Sequence, residues 1–238
     1  MITGNYHNLS STTLFNFTDT FDRLIGNIEK GIYCGDVYEK LPKFGSPSGY
    51  IVPMVCFCDI PLGLIKEHLD WYGTYAIGIK RDYARKYMVN PVWYIHKDNP
   101  VVSKMFKSKN KIELSESPLL PYLKQFLGYQ KDLNGIERQK KFYDEREWRF
   151  IPQDSKFKAK LIVNKPYSEG EKLSQDKSLK RVTYMNIELD RIEYIIVKNE
   201  EDKEDLYPIL NKLSSAKGVK YEKLISAIIT CKQIRKDF

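Results

Sequence analysis

Three charged side chains near the middle of the chain are spaced so that they could act together. Residues 142–150 read FYDEREWRF, and an extended backbone would place Glu145, Glu147 and Arg149 on one face. Two carboxylates on one face can stabilise a cationic, sugar-like transition state, and a guanidinium beside them can hold one by a charged hydrogen bond. Alternating charges are also typical of an edge strand. The spacing alone favours the edge strand and leaves a catalytic cleft open.

Other catalytic patterns are missing from the sequence. There is no Gly-x-Ser-x-Gly nucleophile elbow and no glycine-rich phosphate loop. His7, His68 and His96 have no neighbours at metal-binding spacing, so no metal site is predicted. The four cysteines show no disulfide or zinc pattern, which predicts reduced thiols in the cytoplasm.

The charge balance predicts an anionic partner. The formal net charge is +8, and residues 80–111 carry nine Lys or Arg against two Asp. Such a surface attracts phosphates, so a nucleic acid or a phosphorylated small molecule is one interpretation, and a solvated basic face is the other. No apolar run approaches the ~20 residues that cross a bilayer, and no signal peptide is seen, so no membrane association is predicted.

Strands and helices alternate irregularly, which predicts one α+β domain over residues 1–238. Strands are predicted at 13–18, 52–60, 73–80, 91–95 and across 142–150. A helix is predicted from Phe21 to a stop at Gly31, and residues 99–141 are predicted to be a helical insertion, with 117–129 as its apolar helix. A lysine-rich loop follows at 154–180. Residues 191–213 form the clearest strand-then-helix, and a strand with a short helix ends the chain.

Several blocks together resemble the AbiGi abortive-infection family of bacterial anti-phage proteins. The specific block is MVCFCDIPL, followed by a histidine and then YGTYAIGI, and further likeness lies in LFNFTDTFDRLIGNIEKGIY, FYDEREWRFIP and AIITCKQIRKDF. The resemblance covers most of the chain. It implies phage defence and the antitoxin side of a two-gene system. That role in turn implies a cognate toxin or a phage protein as partner.

The order of the blocks is more distantly similar to the ADP-ribosyltransferase superfamily. This resemblance implies split antiparallel sheets with flanking helices and an NAD-binding cleft between them. Asn16 and Thr18 stand on the first strand, with Asn16 at a position where the superfamily has histidine or arginine. Tyr72 and Tyr75 lie around the middle strand.

The same resemblance implies a mechanism. Asn16, Thr18 and a tyrosine would hold NAD, which is the substrate. Glu147 would stabilise the oxocarbenium ion, and Glu145 would activate a nucleic acid or protein acceptor. Arg149 would either bind NAD or pair with one of the glutamates.

Two hypotheses follow from these resemblances. One is an NAD-dependent mono-ADP-ribosyltransferase. The other is a non-catalytic antitoxin or regulatory partner that keeps the fold. The asparagine at position 16 favours the second, because loss of a catalytic donor commonly costs about a hundredfold in rate.

Overall fold

The computed structural model describes residues 11–41, 49–96, 99, 100, 104, 116–152, 160–162 and 183–237. Strands and helices are mixed along these residues, which confirms the α+β class. None of the helices described is both long enough and apolar enough to cross a membrane. The chain divides into two compact units, each built from separate stretches of sequence. Unit 1 comprises Met1–Glu29, Phe57–Tyr87 and Ile187–Phe238, and unit 2 comprises Lys30–Cys56 and Met88–Asn186.

The described elements are as follows. The strands are β1 (Thr13–Thr18), β2 (Ile32–Tyr33), β3 (Gly35–Lys40), β4 (Gly49–Cys58), β5 (Tyr75–Lys80), β6 (Asn90–Pro91), β7 (Trp93–Ile95), β8 (Leu123–Gln125), β9 (Leu127–Lys131), β10 (Glu137–Lys141), β11 (Glu147–Phe150), β12 (Lys160–Ile162), β13 (Tyr184–Met185), β14 (Ile192–Val197) and β15 (Ile228–Thr230). The α-helices are α1 (Phe21–Lys30), α2 (Lys66–Tyr72), α3 (Arg81–Lys86), α4 (Glu200–Lys217), α5 (Tyr221–Ser226) and α6 (Cys231–Asp237).

Unit 1 contains a sheet with the strand order β15-β14-β5-β1. Strand β1 pairs antiparallel with β5, and Thr18 lies opposite Tyr75. Strand β14 is antiparallel to β5 but parallel to β15, which it reaches through α4 and α5. The expectation of purely antiparallel sheets is therefore wrong here. A crossover through a helix is the usual way to join two parallel strands, and β14 is apolar enough to be covered on both faces.

Unit 2 is built around β4, whose residues 49–56 belong to this unit. Strands β3 and β12 pair with β4, and β11 lies between β4 and β6. Strands β9 and β10 form a separate antiparallel hairpin, and β7 pairs with β8 in parallel. Side chains from β4, β7, β8 and the segments beside them form its core, which consists of Leu41, Tyr50, Val52, Met54, Ile95, Leu120, Leu123 and Ile151.

The predicted helical insertion is wrong wherever the structure describes it beyond residue 115. Residues 117–129 form a 3-10 turn at Leu120–Tyr122 followed by β8 and the start of β9. Pro121 limits helix formation here, and β8 gains backbone partners from β7 that no local pattern reveals. Residues 101–103 and 105–115 lie outside the described residues, as does almost all of the predicted loop at 154–180.

Two glycines provide a matched test of the backbone. Gly26 lies inside α1 and Gly218 ends α4 with φ +66°, and open space surrounds the Cβ position of each. We expect Gly26→Ala to raise the free energy of unfolding by about 0.5–1 kcal/mol, because alanine favours helix. Gly218→Ala should lower it by about 1 kcal/mol, because the left-handed conformation disfavours a Cβ. Urea unfolding followed by circular dichroism measures both, and equal signs would contradict the assigned backbone.

Candidate functional site

The charged stretch at residues 142–150 is a turn followed by a strand. Glu145 ends a 3-10 turn, Arg146 takes a left-handed conformation with φ 47°, and β11 begins at Glu147. The prediction of a strand across 142–150 is therefore wrong before Glu147. Even so, Glu145, Glu147 and Arg149 are all buried, at 4%, 5% and 0% exposure. Strand β11 lies between β4 and β6, so the interpretation as an exposed edge strand is wrong.

Arg149 forms the centre of a group of buried charges in unit 2. Its Nε donates to Oε1 of Glu147 at 2.6 Å, and its Nη2 lies 2.7 Å from Oε1 of Glu39. Its Nη1 donates to the Pro121 carbonyl at 2.6 Å and to the Tyr50 hydroxyl at 3.2 Å. The guanidinium therefore binds two carboxylates and two neutral oxygens inside the core. Its planar fork suits it to this task better than a lysine ammonium.

Two lysines complete the group on the other side of the glutamates. Lys124 Nζ lies 2.7 Å from Oε2 of Glu145 and 2.5 Å from Oε2 of Glu147. Lys140 Nζ lies 2.8 Å from Oε1 of Glu145. We call these six residues, three cationic and three anionic, the buried ion network: Glu39, Lys124, Lys140, Glu145, Glu147 and Arg149. Its formal charges sum to zero, which is the condition under which buried charges are tolerated.

The network shifts the ionisation of its own carboxyl groups. Burial by itself raises the pKa of Glu147, but Arg149 and Lys124 outweigh it and hold that pKa well below its usual range. Burial likewise opposes ionisation of Glu145, and the lysines lower its pKa below the ordinary value. For Glu39 burial prevails over the attraction of Arg149, so its pKa is raised. Glu145 and Glu147 are therefore ionised at neutral pH.

This geometry limits what the glutamates can do chemically. Both oxygens of Glu145 and both oxygens of Glu147 already accept from a cation. A general base must lie within hydrogen-bond reach of its substrate, and Glu145 and Glu147 are instead buried among these cations at 4% and 5% exposure. The Glu147 backbone N–H also donates to the Tyr94 hydroxyl at 2.7 Å, which fixes the start of β11. The arrangement suits a structural role.

The other predicted site residues belong to unit 1. Thr18 and Tyr75 are brought together as opposite residues of β1 and β5, and Asn16 is on the same strand as Thr18. The Tyr75 hydroxyl donates to Oδ2 of Asp202 at 2.9 Å, and burial raises the pKa of Tyr75 to about 12. Tyr72 packs against His68 with ring centroids 5.7 Å apart. That these residues share an NAD-binding cleft with Glu147 stays a prediction.

The predicted basic surface is largely occupied by ion pairs where the structure describes it. Lys80 lies 3.3 Å from Glu193, and Arg81 lies 3.4 Å from Asp59. Arg85 lies 3.6 Å from Asp82. For the first part of residues 80–111, these ion pairs favour the interpretation as a solvated basic face. Lys97, Lys107, Lys109 and Lys111 lie outside the described residues.

Sequence reasoning missed half of the buried ion network. The missed residues lie on three different strands: Lys124 on β8, Lys140 on β10 and Glu39 on β3. They are 21, 5 and 106 residues from Glu145 in the sequence. A buried Glu-x-Glu demands cations close by, but nothing local selects these lysines among 39 Lys and Arg. Among the residues that the structure describes, no group of three or more His, Cys, Asp and Glu side chains could hold a metal ion.

Comparison with known proteins places the chain in a family. Residues 32–228 match a family model described as "Putative abortive phage resistance protein AbiGi, antitoxin". An abortive phage resistance protein AbiGi from Lactococcus lactis subsp. cremoris is 25% identical over 240 residues, covering 84% of this chain and 95% of that protein. No solved structure matches the chain. Because the family model spans most of its length, this protein belongs to the AbiGi family of abortive phage resistance proteins.

Proposed function

We propose that this protein is the antitoxin of its abortive-infection system, which binds a cognate toxin protein and restrains it without catalysing a reaction of its own. The antitoxin role is supported by the description of the matching family model. The absence of catalysis is supported by the buried ion network, which is the observation that carries the proposal.

The two glutamates expected to catalyse ADP-ribosyl transfer have their carboxylate oxygens committed to Lys124, Lys140 and Arg149. A catalytic carboxylate that stabilises an oxocarbenium ion must face the sugar, whereas Glu145 and Glu147 are only 4% and 5% exposed. The resemblance to the ADP-ribosyltransferases would put Asn16 where a histidine or arginine is expected, and this departure also favours a role without catalysis. A protein whose candidate catalytic carboxylates are buried in ion pairs suits a binding role.

The hairpin of β9 and β10 is the surface best suited to a protein partner. Gly128 faces inward, where an added Cβ would meet the Phe142 ring at 2.7 Å. The alternate residues Leu127 and Tyr129 therefore face outward, at 48% and 60% exposure. Leu133 and Ile136, near the hairpin tip, are both 52% exposed. Grouped exposed apolar side chains of this kind typically mark protein–protein contacts.

The test combines co-expression with binding. The protein encoded by the adjacent gene is expressed alone and together with this chain, and growth is measured. We expect co-expression to restore growth and the two purified proteins to bind. The double variant Leu127→Ser/Tyr129→Ser should weaken that binding by about tenfold or more, because exposed aromatic anchors supply much of the energy at such interfaces.

The matched control removes the same residue types elsewhere. Leu64 and Tyr33 are 63% and 52% exposed and lie outside the hairpin. Leu64→Ser/Tyr33→Ser should leave the affinity for the toxin within about twofold. Equal losses for both double variants would refute the hairpin as the contact surface. Failure of the wild-type chain to restore growth or bind would refute the antitoxin role.

A separate assay addresses turnover. Purified protein is incubated with NAD, with and without nucleic acid or cell extract, and released nicotinamide is measured against heat-inactivated protein. We expect no release above that background. Release that Thr18→Val abolishes, while the unfolding midpoint stays unchanged, would instead establish the transferase hypothesis and its predicted site.

A further inference from the structure

The hairpin of β9 and β10 is separate from the other strands of unit 2. In the part of the chain that the structure describes, β9 and β10 pair only with each other, from Leu127 opposite Lys141 to Lys131 opposite Glu137. A two-stranded hairpin by itself is marginally stable in water, and its register is weakly specified unless one face is buried. A contact with the rest of unit 2 is therefore needed to fix how this hairpin lies.

The hairpin orders its own turn. Oδ1 of Asp132 accepts hydrogen bonds from the backbone N–H groups of Asn134 at 2.9 Å and Ile136 at 3.0 Å. The Asp132 carbonyl oxygen accepts from the Gly135 N–H at 2.9 Å. Nη2 of Arg138 lies 3.0 Å from Oδ2 of Asp132. All of these contacts are internal to the hairpin, so they define its tip but not its position on unit 2.

Lys140 connects the hairpin to the buried ion network. Strands β9 and β10 have five residues each, all described by the structure, and Lys140 alone among them is buried. Its side chain is 6% exposed, and its Nζ lies 2.8 Å from Oε1 of Glu145. The residue opposite Lys140 is Gly128, where an added Cβ would meet the Phe142 ring at 2.7 Å. The hairpin thus contacts unit 2 through a close backbone approach and one buried charge.

The chemistry of this contact favours a role in alignment. An ammonium group loses its hydration when it is buried, and an apolar side chain would avoid that cost, so stability alone does not account for a lysine here. Buried polar groups are best known for fixing register. A one-residue shift of β10 would turn Lys140 to the outer face, because neighbouring side chains of a strand point to opposite sides. The pair with Glu145 therefore selects one alignment of the hairpin.

We propose that Lys140 is a positioning residue for toxin recognition. Its pair with Glu145 holds the hairpin in the alignment that turns Leu127 and Tyr129 outward, so the toxin meets a preformed surface. A preformed surface binds more tightly, because less conformational freedom is lost on association. The inference rests on the proposed contact between the hairpin and the toxin. It gives the buried ion network a role in recognition in addition to its role in stability.

Amide hydrogen exchange of the full chain, without any toxin, tests the positioning directly. In Lys140→Met we expect the amides of β9 and β10 to exchange about tenfold faster or more, because the hairpin opens locally once the pair is lost. The amides of β14, in unit 1, should keep their wild-type rates and thereby show that the variant is folded. Glu145→Gln removes the partner's charge but keeps its shape. It should give the same pattern, and it replaces Lys140→Met if that variant does not fold.

The matched control removes a cation from the same strand. Arg138 is two residues from Lys140, so it lies on the same side of β10, but its side chain is 58% exposed and its ion pair with Asp132 stays within the hairpin. Arg138→Met should change hairpin exchange and toxin affinity by less than about twofold, because an exposed ion pair contributes little.

Binding kinetics with the purified protein encoded by the adjacent gene test the role in recognition. Lys140→Met should lower the association rate constant by about fivefold or more and leave the dissociation rate constant within about twofold. The reason is that only the correctly aligned fraction of the molecules can bind. Leu127→Ser/Tyr129→Ser removes contacts instead of alignment, so it should mainly raise the dissociation rate constant.

The outcomes separate this inference from the proposed function. Unchanged hairpin exchange in Lys140→Met would overturn the inference whether or not a toxin binds. Equal effects of Lys140→Met and Arg138→Met would also overturn it, because they would indicate a general effect of charge. Faster hairpin exchange with an unchanged association rate would refute the role in recognition. A wild-type chain that does not bind the toxin would refute the proposed function itself.

Discussion

Replacing Arg149 by methionine should lower the free energy of unfolding by about 3–5 kcal/mol, the usual cost of removing one partner from a buried ion pair. Arg149 is fully buried, so methionine fills most of the space but leaves Glu147 and Glu39 without their shared cation. The Pro121 carbonyl and Tyr50 hydroxyl also lose a donor. Urea unfolding at neutral pH, followed by circular dichroism, measures the change.

Two comparison variants make this result interpretable. Arg23→Met breaks the exposed pair with Asp19, in which the arginine side chain is 68% exposed, and should cost no more than about 0.5 kcal/mol. Arg149→Lys keeps the positive charge but cannot reach all four partners, so we expect a loss between those of the other two variants. If Arg149→Met and Arg23→Met had equal effects, the buried ion network would not stabilise the fold in the way described.

Acid should destabilise the protein steeply below the ordinary carboxyl pKa of about 4.3. The pKa values of Glu145 and Glu147 are lowered in the folded state, so the unfolded chain takes up their protons first as pH falls. Their stabilising contribution is complete above the unfolded value and is lost as pH falls towards the folded values. Each such group can contribute up to about 1.4 kcal/mol per pH unit to the slope.

Glu39 has the opposite effect on how stability depends on pH. Its folded pKa is raised, so its contribution is complete below the unfolded value and is lost as pH rises through the folded value. Below pH ~4.3 Glu39 is protonated in both states and adds no slope, so the slope set by Glu145 and Glu147 should be positive there. Unfolding midpoints measured across that range should therefore fall with acid. In Glu145→Gln/Glu147→Gln the slope should be distinctly shallower, and an unchanged slope would show that other carboxyl groups control acid unfolding.

The local sequence predicted a strand or helix correctly where the residues of that element themselves favour it. Strand β1 matches the predicted 13–18, because β-branched and aromatic residues there agree with burial on the sheet. Helix α4 follows β14 as expected, and its side-chain cap at Asn199 accepts from the Asp202 backbone N–H at 2.9 Å. The strand and short helix at the end of the chain, β15 and α6, are also present.

Prediction failed where distant partners decide the structure. The apolar spacing of residues 117–129 suits a helix, yet these residues turn at Pro121 and pair with β7. The same extended segment delivers Lys124 to the glutamates. At the candidate site, alternation correctly grouped Glu145, Glu147 and Arg149, but it could not tell a solvated face from a buried one. That distinction depends on which distant residues pack over this face of β11, such as Tyr50 and Pro121 against Arg149, and sequence spacing does not contain this information.

The interleaved make-up of unit 1 has a consequence for synthesis of the protein. Strand β5 needs β14 on one side, yet more than a hundred residues separate them along the chain. Until Ile192 and the residues after it emerge from the ribosome, the nascent polypeptide presents β5 with one unpaired, strongly apolar edge. Exposed edges of this kind favour aggregation, so we expect this half of the molecule to be prone to aggregation during translation.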